Sequence, residues 1–223
     1  MTNYLRIKKM LYMVSLASIS IVLALIEIPW FLPTGPFAGF LKLDFSEVAI
    51  LLSLFILGTR ETIGVILIRT VARRLFRGFE FGDVIGEMLA MFASFSIVLG
   101  YNLAMRLLGK QERPLLYEVS VNNNKISTKE WIVVVSSVTV SLSLILFLIN
   151  FLVATPLYLS IFGVSFSGAL HFNVFSFAAD SPFGVMEFMW LTFASYTPFN
   201  MTKGILVSSI FLLVKPRMKY LEL

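Results

Sequence analysis

The feature that most constrains this chain is its series of long apolar stretches, separated by short charged or Pro- and Gly-rich segments. A helix of roughly 20 apolar residues crosses the ~30 Å hydrocarbon core of a bilayer. Of the 223 residues, 58% are hydrophobic and only 14% are charged, whereas an ordinary soluble domain has about 25% charged residues. The sequence therefore predicts an all-α integral membrane protein, in which residues 1–223 form a single membrane-embedded domain.

Six transmembrane helices are predicted, because turn signals and charges divide the apolar sequence into six parts. The predicted spans are Met10–Trp30, Ser46–Gly58, Glu61–Phe76, Asp83–Leu108, Trp131–Tyr158 and Gly184–Val214. An even number of crossings places both termini on one side, together with a hydrophilic loop at about 109–130. Most Lys and Arg residues lie on that side, so the positive-inside rule predicts cytoplasmic termini. Arg73, Arg74 and Arg77 fall on the outer side and depart from this rule.

Composition excludes several classes of site. The chain has no cysteine, so disulfides, thiol catalysis and thiolate metal sites are excluded. Its single histidine, His171, argues against a histidine-built metal centre, and neither a metal nor a cofactor is expected. The net charge of +5 is explained by basic residues at the ends of apolar stretches, which predicts a lipid partner and no nucleic-acid partner.

Polar side chains at membrane depth are the candidate functional groups, because a charge in hydrocarbon costs about 2.5–3.5 kcal/mol and must face a partner or a cavity. Structural alternatives exist for most of them. Arg69 could pair with a carboxylate or snorkel, Glu87 could be a first-turn acid favoured by the helix dipole, and Asn150 could join two helices. Lys203 could form a salt bridge with Glu87 or Glu187. The candidates are Arg69, Glu87, Asn150, Asn200 and Lys203.

The segment TPFNMTKG, Thr197–Gly204, gathers several such groups on one helix. Pro198 removes a backbone donor and frees carbonyls one turn earlier, and the three-residue spacing places Asn200 and Lys203 on one face. Aromatic residues on the same helix would supply flat apolar walls. The combination predicts a site for a flat heterocycle with a polar tail. The predicted wall residues are Phe188, Trp190, Phe193 and Tyr196.

Four motifs in this order resemble those of a known family. They are FLKLDFSEVAILLSLFILG at Phe40–Gly58, GDVIGEMLAMF at Gly82–Phe92, NFLVATPLY at Asn150–Tyr158 and TPFNMTKGILVS at Thr197–Ser208. Together they resemble the substrate-binding S components of energy-coupling factor (ECF) transporters, and the riboflavin-specific branch fits best. The resemblance covers the chain from about Phe40 to Lys215.

The resemblance implies a multi-pass protein of a prokaryotic plasma membrane that binds a vitamin, here riboflavin, from outside with high affinity. It also implies a transmembrane coupling subunit and two cytoplasmic ATPases as partners. An S component is not an enzyme, and this sequence contains no G-x-x-x-x-G-K-[ST] loop for nucleotide phosphates. The loop between the first two helices acts in the family as a lid over the site.

The resemblance also implies roles for individual residues. Asn150, Asn200 and Lys203 occupy positions that contact ligand in the riboflavin branch. A stripe of small residues on the first helix corresponds to the family's face for the coupling subunit. The wider candidate substrate-binding set adds Phe40, Leu41, Glu87 and Thr197. The stripe consists of Ala17, Ser20 and Ala24.

Three alternatives stay open from the sequence. The first is an S component for another vitamin or precursor, such as a flavin relative, thiamine, folate or a queuosine precursor. The second is a membrane enzyme or a self-contained facilitator, for which His171 and Asp180 are the only tempting pair. Their nine-residue separation gives no catalytic spacing, and we expect His171 to pack in a lid. The third is a purely structural membrane subunit.

Overall fold

The computed structural model describes residues 3–32, 34–37, 39, 41–110, 114–117 and 126–220, without the side chains of residues 219 and 220. Helices dominate this part of the chain. In chain order they are α1 (Asn3–Leu25), α2 (Ser46–Leu57), α3 (Thr59–Arg77), α4 (Phe81–Leu107), α5 (Thr128–Ile149), α6 (Thr155–Ile161), α7 (Val174–Ala179) and α8 (Val185–Val214). Two strands of two residues each, β1 (Ile28–Pro29) and β2 (Lys42–Leu43), form the only sheet among the described residues. A 3₁₀ turn covers Leu115–Tyr117, and another, Lys215–Tyr220, extends α8.

Four helical segments are long and apolar enough to cross a membrane. They are Asn3–Leu25, Phe81–Leu107, Thr128–Ile161 and Val185–Met218. The apolar helix α2 has 12 residues, of which 10 are buried, so protein rather than lipid surrounds it, in keeping with its short length. The predicted all-α membrane fold is confirmed, whereas the count of six crossings stays a prediction.

The first predicted helix is too long at its C-terminal end. α1 ends at Leu25, before the two prolines of the following linker. The chain enters a short antiparallel ladder instead, in which Ile28 pairs with Leu43 and Pro29 pairs with Lys42. The linker between α1 and α2 is thereby closed into a loop at its base, and the Trp30 amide donates to the Leu41 carbonyl at 3.0 Å.

The fifth predicted helix runs on without a break at its asparagine and proline. α5 passes into α6 through one π-helical segment, Asn150–Ala154, which accommodates one extra residue without ending the helix. Pro156 is the second residue of α6 and follows directly after this segment. Most of the hydrophilic loop at 109–130 lies outside the described residues.

Two glycines allow α5 to pack unusually close to its neighbours. A Cβ on Gly100 of α4 would lie 2.8 Å from the Val138 Cα, and one on Gly204 of α8 would lie 2.8 Å from the Thr139 Cα. Any larger residue at these positions would force the helices apart, since close backbone approach between membrane helices requires small residues. The consequence is a tightly packed α4–α5–α8 core that brings the end of α5 beside the middle of α8.

Candidate functional site

A cavity of about 480 Å³ opens beside the middle of α8, within the range of pockets that bind small molecules. The linker before α2, the end of α3, the start of α4, the π-helical segment and α8 all contribute to its walls. Five of the seven predicted substrate-binding residues line it. They are Leu41, Glu87, Asn150, Asn200 and Lys203.

Asn200 is the most informative of these residues. Its side chain is 1% exposed, yet neither the amide nitrogen nor the amide oxygen has a hydrogen-bond partner among the described residues. A buried polar group without a partner costs about 1–3 kcal/mol, so such a group in a native structure calls for an explanation. Because Asn200 lines the cavity, a ligand that supplies both an acceptor and a donor would explain it.

Lys203 lies one turn after Asn200 and is held by two carboxylates. Its Nζ is 3.1 Å from Asp44 Oδ2 and 3.1 Å from Glu47 Oε2. The sequence suggested Glu87 or Glu187 as the structural partner, and this is wrong: Glu187 is exposed and Glu87 pairs elsewhere. Asp44 and Glu47 are not among the candidates selected from the sequence, and the structure places both against Lys203.

Asp44 makes a local hydrogen bond in addition to its ion pair. Its Oδ1 accepts from the Ser46 amide at 3.0 Å, two residues further on, as in an Asx turn directly before α2. Burial disfavours the ionised form of Asp44, but the Lys203 charge and the Ser46 hydrogen bonds outweigh it, so the pKa of Asp44 lies well below its usual range. The carboxylate is therefore ionised and fixes the lysine beside the cavity.

Arg69 completes this buried ionic group from α3. It is fully buried and donates to Ser46 Oγ at 3.4 Å and to the Ala90 carbonyl at 3.2 Å. Glu47 is also fully buried and lies within electrostatic range of Arg69. Among the sequence alternatives for Arg69, snorkelling to the surface is wrong, because protein surrounds the guanidinium on every side.

Asn150 lies at the start of the π-helical segment and lines the cavity. Its Nδ2 donates to the Leu146 carbonyl at 2.8 Å, and its Oδ1 accepts from Thr155 Oγ1 at 3.5 Å. Thr155 in turn contacts the Tyr196 hydroxyl at 3.2 Å, which links α6 to α8. π-Helical turns are frequent at functional sites. Asn150, in this turn, and Thr155, directly after it, both line the cavity.

Glu87 lies on α4 and is almost fully buried. It faces Arg73 at 3.4 Å and Arg74 at 3.7 Å. It is the seventh residue of α4, beyond the first turn, so the first-turn explanation is wrong. Its Oε1 has no partner among the described residues.

The remaining predicted residues differ in placement. Leu41 lines the cavity. Thr197 does not belong to the lining, although its Oγ1 is a buried atom without a hydrogen-bond partner in the described structure. Phe40 lies outside the described residues.

Only part of the predicted aromatic wall is correct. Tyr196 lines the cavity, but Phe188 is buried in a separate cluster with Phe37 and Phe177. Trp190 and Phe193 point away from the protein interior, because they lie on the outer face of α8. The sequence missed two aromatic residues that do line the cavity, Tyr158 and Phe199.

The linker between α1 and α2 covers α8 next to the cavity. Thr34 Oγ1 donates to the Ser195 carbonyl at 3.2 Å, and the Phe37 amide donates to Ser195 Oγ at 3.4 Å. The Ser195 carbonyl lies one turn before Pro198, where the sequence predicts available carbonyl groups. The Trp30 ring packs edge-on against Phe199 with centroids 5.5 Å apart. The loop is thus held over this part of α8 by a few contacts.

The small-residue stripe of α1 faces the inside of the chain. Ala17, Ser20 and Ala24 are each no more than 1% exposed. Ser20 Oγ donates to the Ser46 carbonyl at 3.0 Å, so the stripe lets α1 approach α2. Its small residues therefore serve packing within the chain in this structure, and a contact with another subunit through them would require α1 and α2 to separate.

His171 and Asp180 meet in the structure despite their separation in sequence. His171 Nε2 lies 3.0 Å from Asp180 Oδ2, in the loop that carries α7 and away from the cavity lining. Ser167 donates to Asp180 through its hydroxyl and its amide, and these hydrogen bonds lower the pKa of the Asp180 carboxyl. The serine is bonded to the aspartate rather than to the histidine, so the three residues brace the loop and do not form a nucleophile–base pair.

Among the described residues, no three His, Asp or Glu side chains lie close enough to hold a metal ion.

Comparison with known proteins identifies the family of this chain. The family model described as "ECF transporter, substrate-specific component" matches residues 8–215. The chain is 28% identical to the riboflavin transporter RibU of Staphylococcus aureus over 212 residues, which cover 95% of this chain and 90% of that protein. It is 26% identical to RibU of Streptococcus thermophilus, over 95% of this chain and 83% of that protein.

A solved structure, that of the S component of a bacterial ECF transporter, shares the fold. It aligns with a TM-score of 0.60 and 24% identity, and the alignment covers 96% of each chain. Together, the transporter family and the four long apolar helices make this a multi-pass protein of the cell membrane. Because the family model spans nearly the whole chain, the protein belongs to the substrate-specific components of ECF transporters.

Proposed function

We propose that this chain binds riboflavin with high affinity and is the riboflavin-specific subunit of its transporter. It crosses the cell membrane six times, with both termini in the cytoplasm. The observation that carries the proposal is Asn200, a fully buried amide that lines the cavity with both its donor and its acceptor unused among the described residues. The likeness to two RibU proteins supports the choice of riboflavin.

The ring system of riboflavin matches what the cavity offers. Its pyrimidine edge presents alternating carbonyl acceptors and one N–H donor, so a single carboxamide can pair with it through two hydrogen bonds. Asn200 is such a carboxamide, and Tyr196 and Phe199 provide flat apolar surfaces beside it. The ribityl hydroxyls can exchange hydrogen bonds with Asn150 and with the remaining N–H of Lys203. Burial of the ring supplies the bulk of the binding energy, and the amide supplies selectivity.

The buried ionic group of Asp44, Glu47, Arg69 and Lys203 keeps the site in shape without ligand. Ion pairs of this kind are costly to desolvate but strongly favour one arrangement once formed. Lys203 is therefore positioned before the ligand arrives, which reduces the entropy lost on binding. We expect the linker to move when ligand enters. It is held to α8 by two long hydrogen bonds to Ser195, of 3.2 and 3.4 Å, and by the packing of Phe37 against Phe188 and Tyr196.

Energy for transport comes from partners in this proposal. A transmembrane coupling subunit binds the loaded S component, and two cytoplasmic ATPases hydrolyse ATP to complete the cycle. The chain itself binds the vitamin and performs no covalent chemistry.

Titration of the purified protein with riboflavin tests the proposal. Stacking against aromatic side chains should quench flavin fluorescence, with saturation at one ligand per chain. Thiamine and folate serve as competitors and should not restore the fluorescence. Well-folded protein that leaves riboflavin fluorescence unchanged at micromolar concentrations would refute riboflavin as the ligand, and mass spectrometry of the co-purified small molecule would then identify the vitamin.

A further inference from the structure

The loop between α6 and α8 carries large apolar side chains on its outside. This segment, residues 162–184, includes α7 and is here called the α6–α8 loop. Its only Asp, Glu, Lys or Arg residue is Asp180. A concentration of exposed apolar side chains marks a surface that contacts protein or membrane. Four of its large apolar side chains are between 50% and 76% exposed, namely Phe166, Leu170, Phe172 and Phe175.

The polar groups of the α6–α8 loop are bonded to protein atoms. The Ser167 amide donates to Asp180 Oδ2 at 3.1 Å, and the Phe166 amide donates to the Asp180 carbonyl at 2.9 Å. Within residues 162–184, all of which the structure describes, no buried side-chain nitrogen or oxygen lacks a hydrogen-bond partner. Polar groups with protein partners lower the cost of contact with lipid, where water is scarce. Further amides with partners are those of Val164, Gly168, Ala169, Ser176 and Phe177.

The opposite face of the loop packs against the protein. Val174 and Phe177 of α7 are fully buried in one cluster with Phe37 and Phe188, and the rings of Phe177 and Phe188 lie 5.2 Å apart. This packing fixes which side of α7 faces outward. The exposed phenylalanines therefore belong to a loop with one filled face and one uncovered face.

The uncovered face continues the lipid-facing surface of the protein. The loop joins the ends of two segments that are long and apolar enough to cross a membrane, Thr128–Ile161 and Val185–Met218. Directly after the loop, Met186 and Trp190 are exposed on α8. Glu187, in the first turn of α8, is exposed as well. A carboxylate is costly in hydrocarbon, and an irregular loop does not lie there, so this level of the molecule is the membrane interface.

We propose that the α6–α8 loop binds the phospholipid surface of the adjacent leaflet. Its exposed Phe and Leu side chains insert about 5–10 Å into the boundary between headgroups and acyl chains. With the termini in the cytoplasm, this is the outer leaflet. The loop has no Lys or Arg, so burial of apolar surface holds it there rather than attraction to anionic lipid. This role is separate from ligand binding and does not rest on the choice of riboflavin.

Lipid is favoured over a second copy of the chain as the occupant. The bilayer already surrounds the exposed apolar faces of α5 and α8, and the uncovered face of the loop is continuous with them in the chain. A dimer through this face would have to displace lipid from the same level of the membrane.

Spin labels at single cysteines test the proposal, because the chain has no cysteine of its own. Phe175→Cys and Phe166→Cys place a nitroxide on the uncovered face without disturbing a buried residue. Leu144→Cys, exposed on α5, is the lipid control, and Lys129→Cys, exposed at the start of α5, is the aqueous control. In phosphatidylcholine vesicles, power saturation compares collisions with O2, which concentrates in lipid, and with a water-soluble nickel chelate.

We expect the labels at 175 and 166 to collide more with O2 than with the nickel chelate, at a depth between those of the two controls. Adding phosphatidylglycerol should leave the depth unchanged. A preference for the nickel chelate like that at 129 would overturn the proposal, because the loop would then lie in water. Low access to both reagents would also overturn it, because protein would cover the face, and spin–spin broadening that unlabelled protein removes would identify a second copy. A depth that requires phosphatidylglycerol would contradict the apolar basis of the contact.

A triple substitution tests whether the phenylalanines hold the loop in place. Phe166→Ser, Phe172→Ser and Phe175→Ser are combined, and the label is placed by Leu170→Cys. We expect this label to move from lipid to water while thermal unfolding shows a folded protein. The matched control replaces three exposed phenylalanines between α3 and α4 and should leave the label in lipid. A label that stays in lipid in the first variant, or leaves it in the control, would overturn the proposal. The control residues are Phe76, Phe79 and Phe81, each changed to Ser.

Discussion

Two buried lysines of the same helical segment, Lys203 and Lys215, have very different surroundings. Lys215, at the C-terminal end of α8, donates to the Tyr101 hydroxyl at 3.0 Å and to Glu130 Oε1 at 3.3 Å. The other oxygen of Glu130 accepts from Lys110, so both carboxylate oxygens are engaged. The group joins α4, α5 and the end of α8.

Around Lys203, several buried polar atoms lack a hydrogen-bond partner among the described residues. Lys203 bridges Asp44 and Glu47, but Glu47 Oε1 and both polar atoms of Asn200 have no partner within the described structure. Unsatisfied groups are costly wherever they are buried, so the difference is informative. The fully bonded group around Lys215 stabilises the fold, whereas the group around Lys203 borders a cavity and has hydrogen-bonding capacity left for a ligand.

The largest effect should come from Lys203→Met. This change leaves Asp44 and Glu47 buried together without their cation, and breaking a buried ion pair costs about 3–5 kcal/mol. We expect the free energy of unfolding in detergent to fall by that amount and riboflavin binding to be lost. Adding Glu47→Gln should recover part of the stability. A single variant as stable as the parent protein would show that the lysine is not needed to hold the carboxylates.

Asn200→Leu should separate binding from stability. Riboflavin affinity is expected to fall by about 1–3 kcal/mol, because the ring edge loses its partner. The free energy of unfolding without ligand should stay the same or rise, since two unpaired polar atoms are removed from the interior. Titration and thermal unfolding measure the two quantities. Asn102→Ala is the control: Asn102 bonds Thr59 outside the cavity, and its removal should leave affinity unchanged.

Lys215→Met should lower stability and leave riboflavin affinity unchanged, the reverse of Asn200→Leu. Glu130 keeps Lys110, so the expected loss in free energy of unfolding is smaller, about 1–2 kcal/mol. Riboflavin affinity should be unchanged, because the residue is remote from the cavity lining. Thermal unfolding and fluorescence titration of the same preparation check both. A clear drop in affinity would contradict the division into a structural and a binding group.

The smallest effect concerns Glu27, at the edge of the cavity. Burial raises its pKa, but the hydrogen bonds from Lys42 and Arg77 outweigh this, so the pKa of Glu27 lies below its usual value of 4.5. A lowered folded-state pKa stabilises the protein above the ordinary pKa, and this stabilisation disappears as pH falls through the folded-state value. The difference in melting temperature between the parent protein and Glu27→Gln should therefore be present at about pH 6 and vanish in acid. The contribution should stay below about 1 kcal/mol, as for other partly exposed pairs, and a difference that grows on acidification would refute it.

The polar residues of the site could be found from the sequence because their surroundings are so apolar. Asn150, Asn200 and Lys203 were selected by the cost of burying them in a membrane helix, and all three line one cavity. The same argument gave no information on pairing. Lys203 and Asp44 are 159 positions apart, and nothing in the local sequence DFSE, Asp44–Glu47, indicates a partner on the last helix.

The aromatic walls show a second limit. Membership of the same helix selected Trp190 and Phe193, which lie on the outer face of α8, and it missed Tyr158 of α6, which lines the cavity. Rotation of a helix is fixed by its neighbours and is not encoded in its own apolar pattern when every face is apolar. Close contacts at Gly100 and Gly204 are among the features that fix it here.

By itself, the sequence determined that this protein is a helical membrane protein with a few polar side chains inside its membrane-spanning part. The reason is that hydrocarbon tolerates neither unpaired backbone N–H and C=O groups nor unpaired charges. Only the tertiary structure decided that Asp44 and Glu47 hold Lys203 and that three arginines line the same cavity. It also decided that Asn200 lies beside that cavity without a hydrogen-bond partner among the described residues. These outcomes depend on which helices meet and how they are rotated, and residues far apart in the chain decide that together.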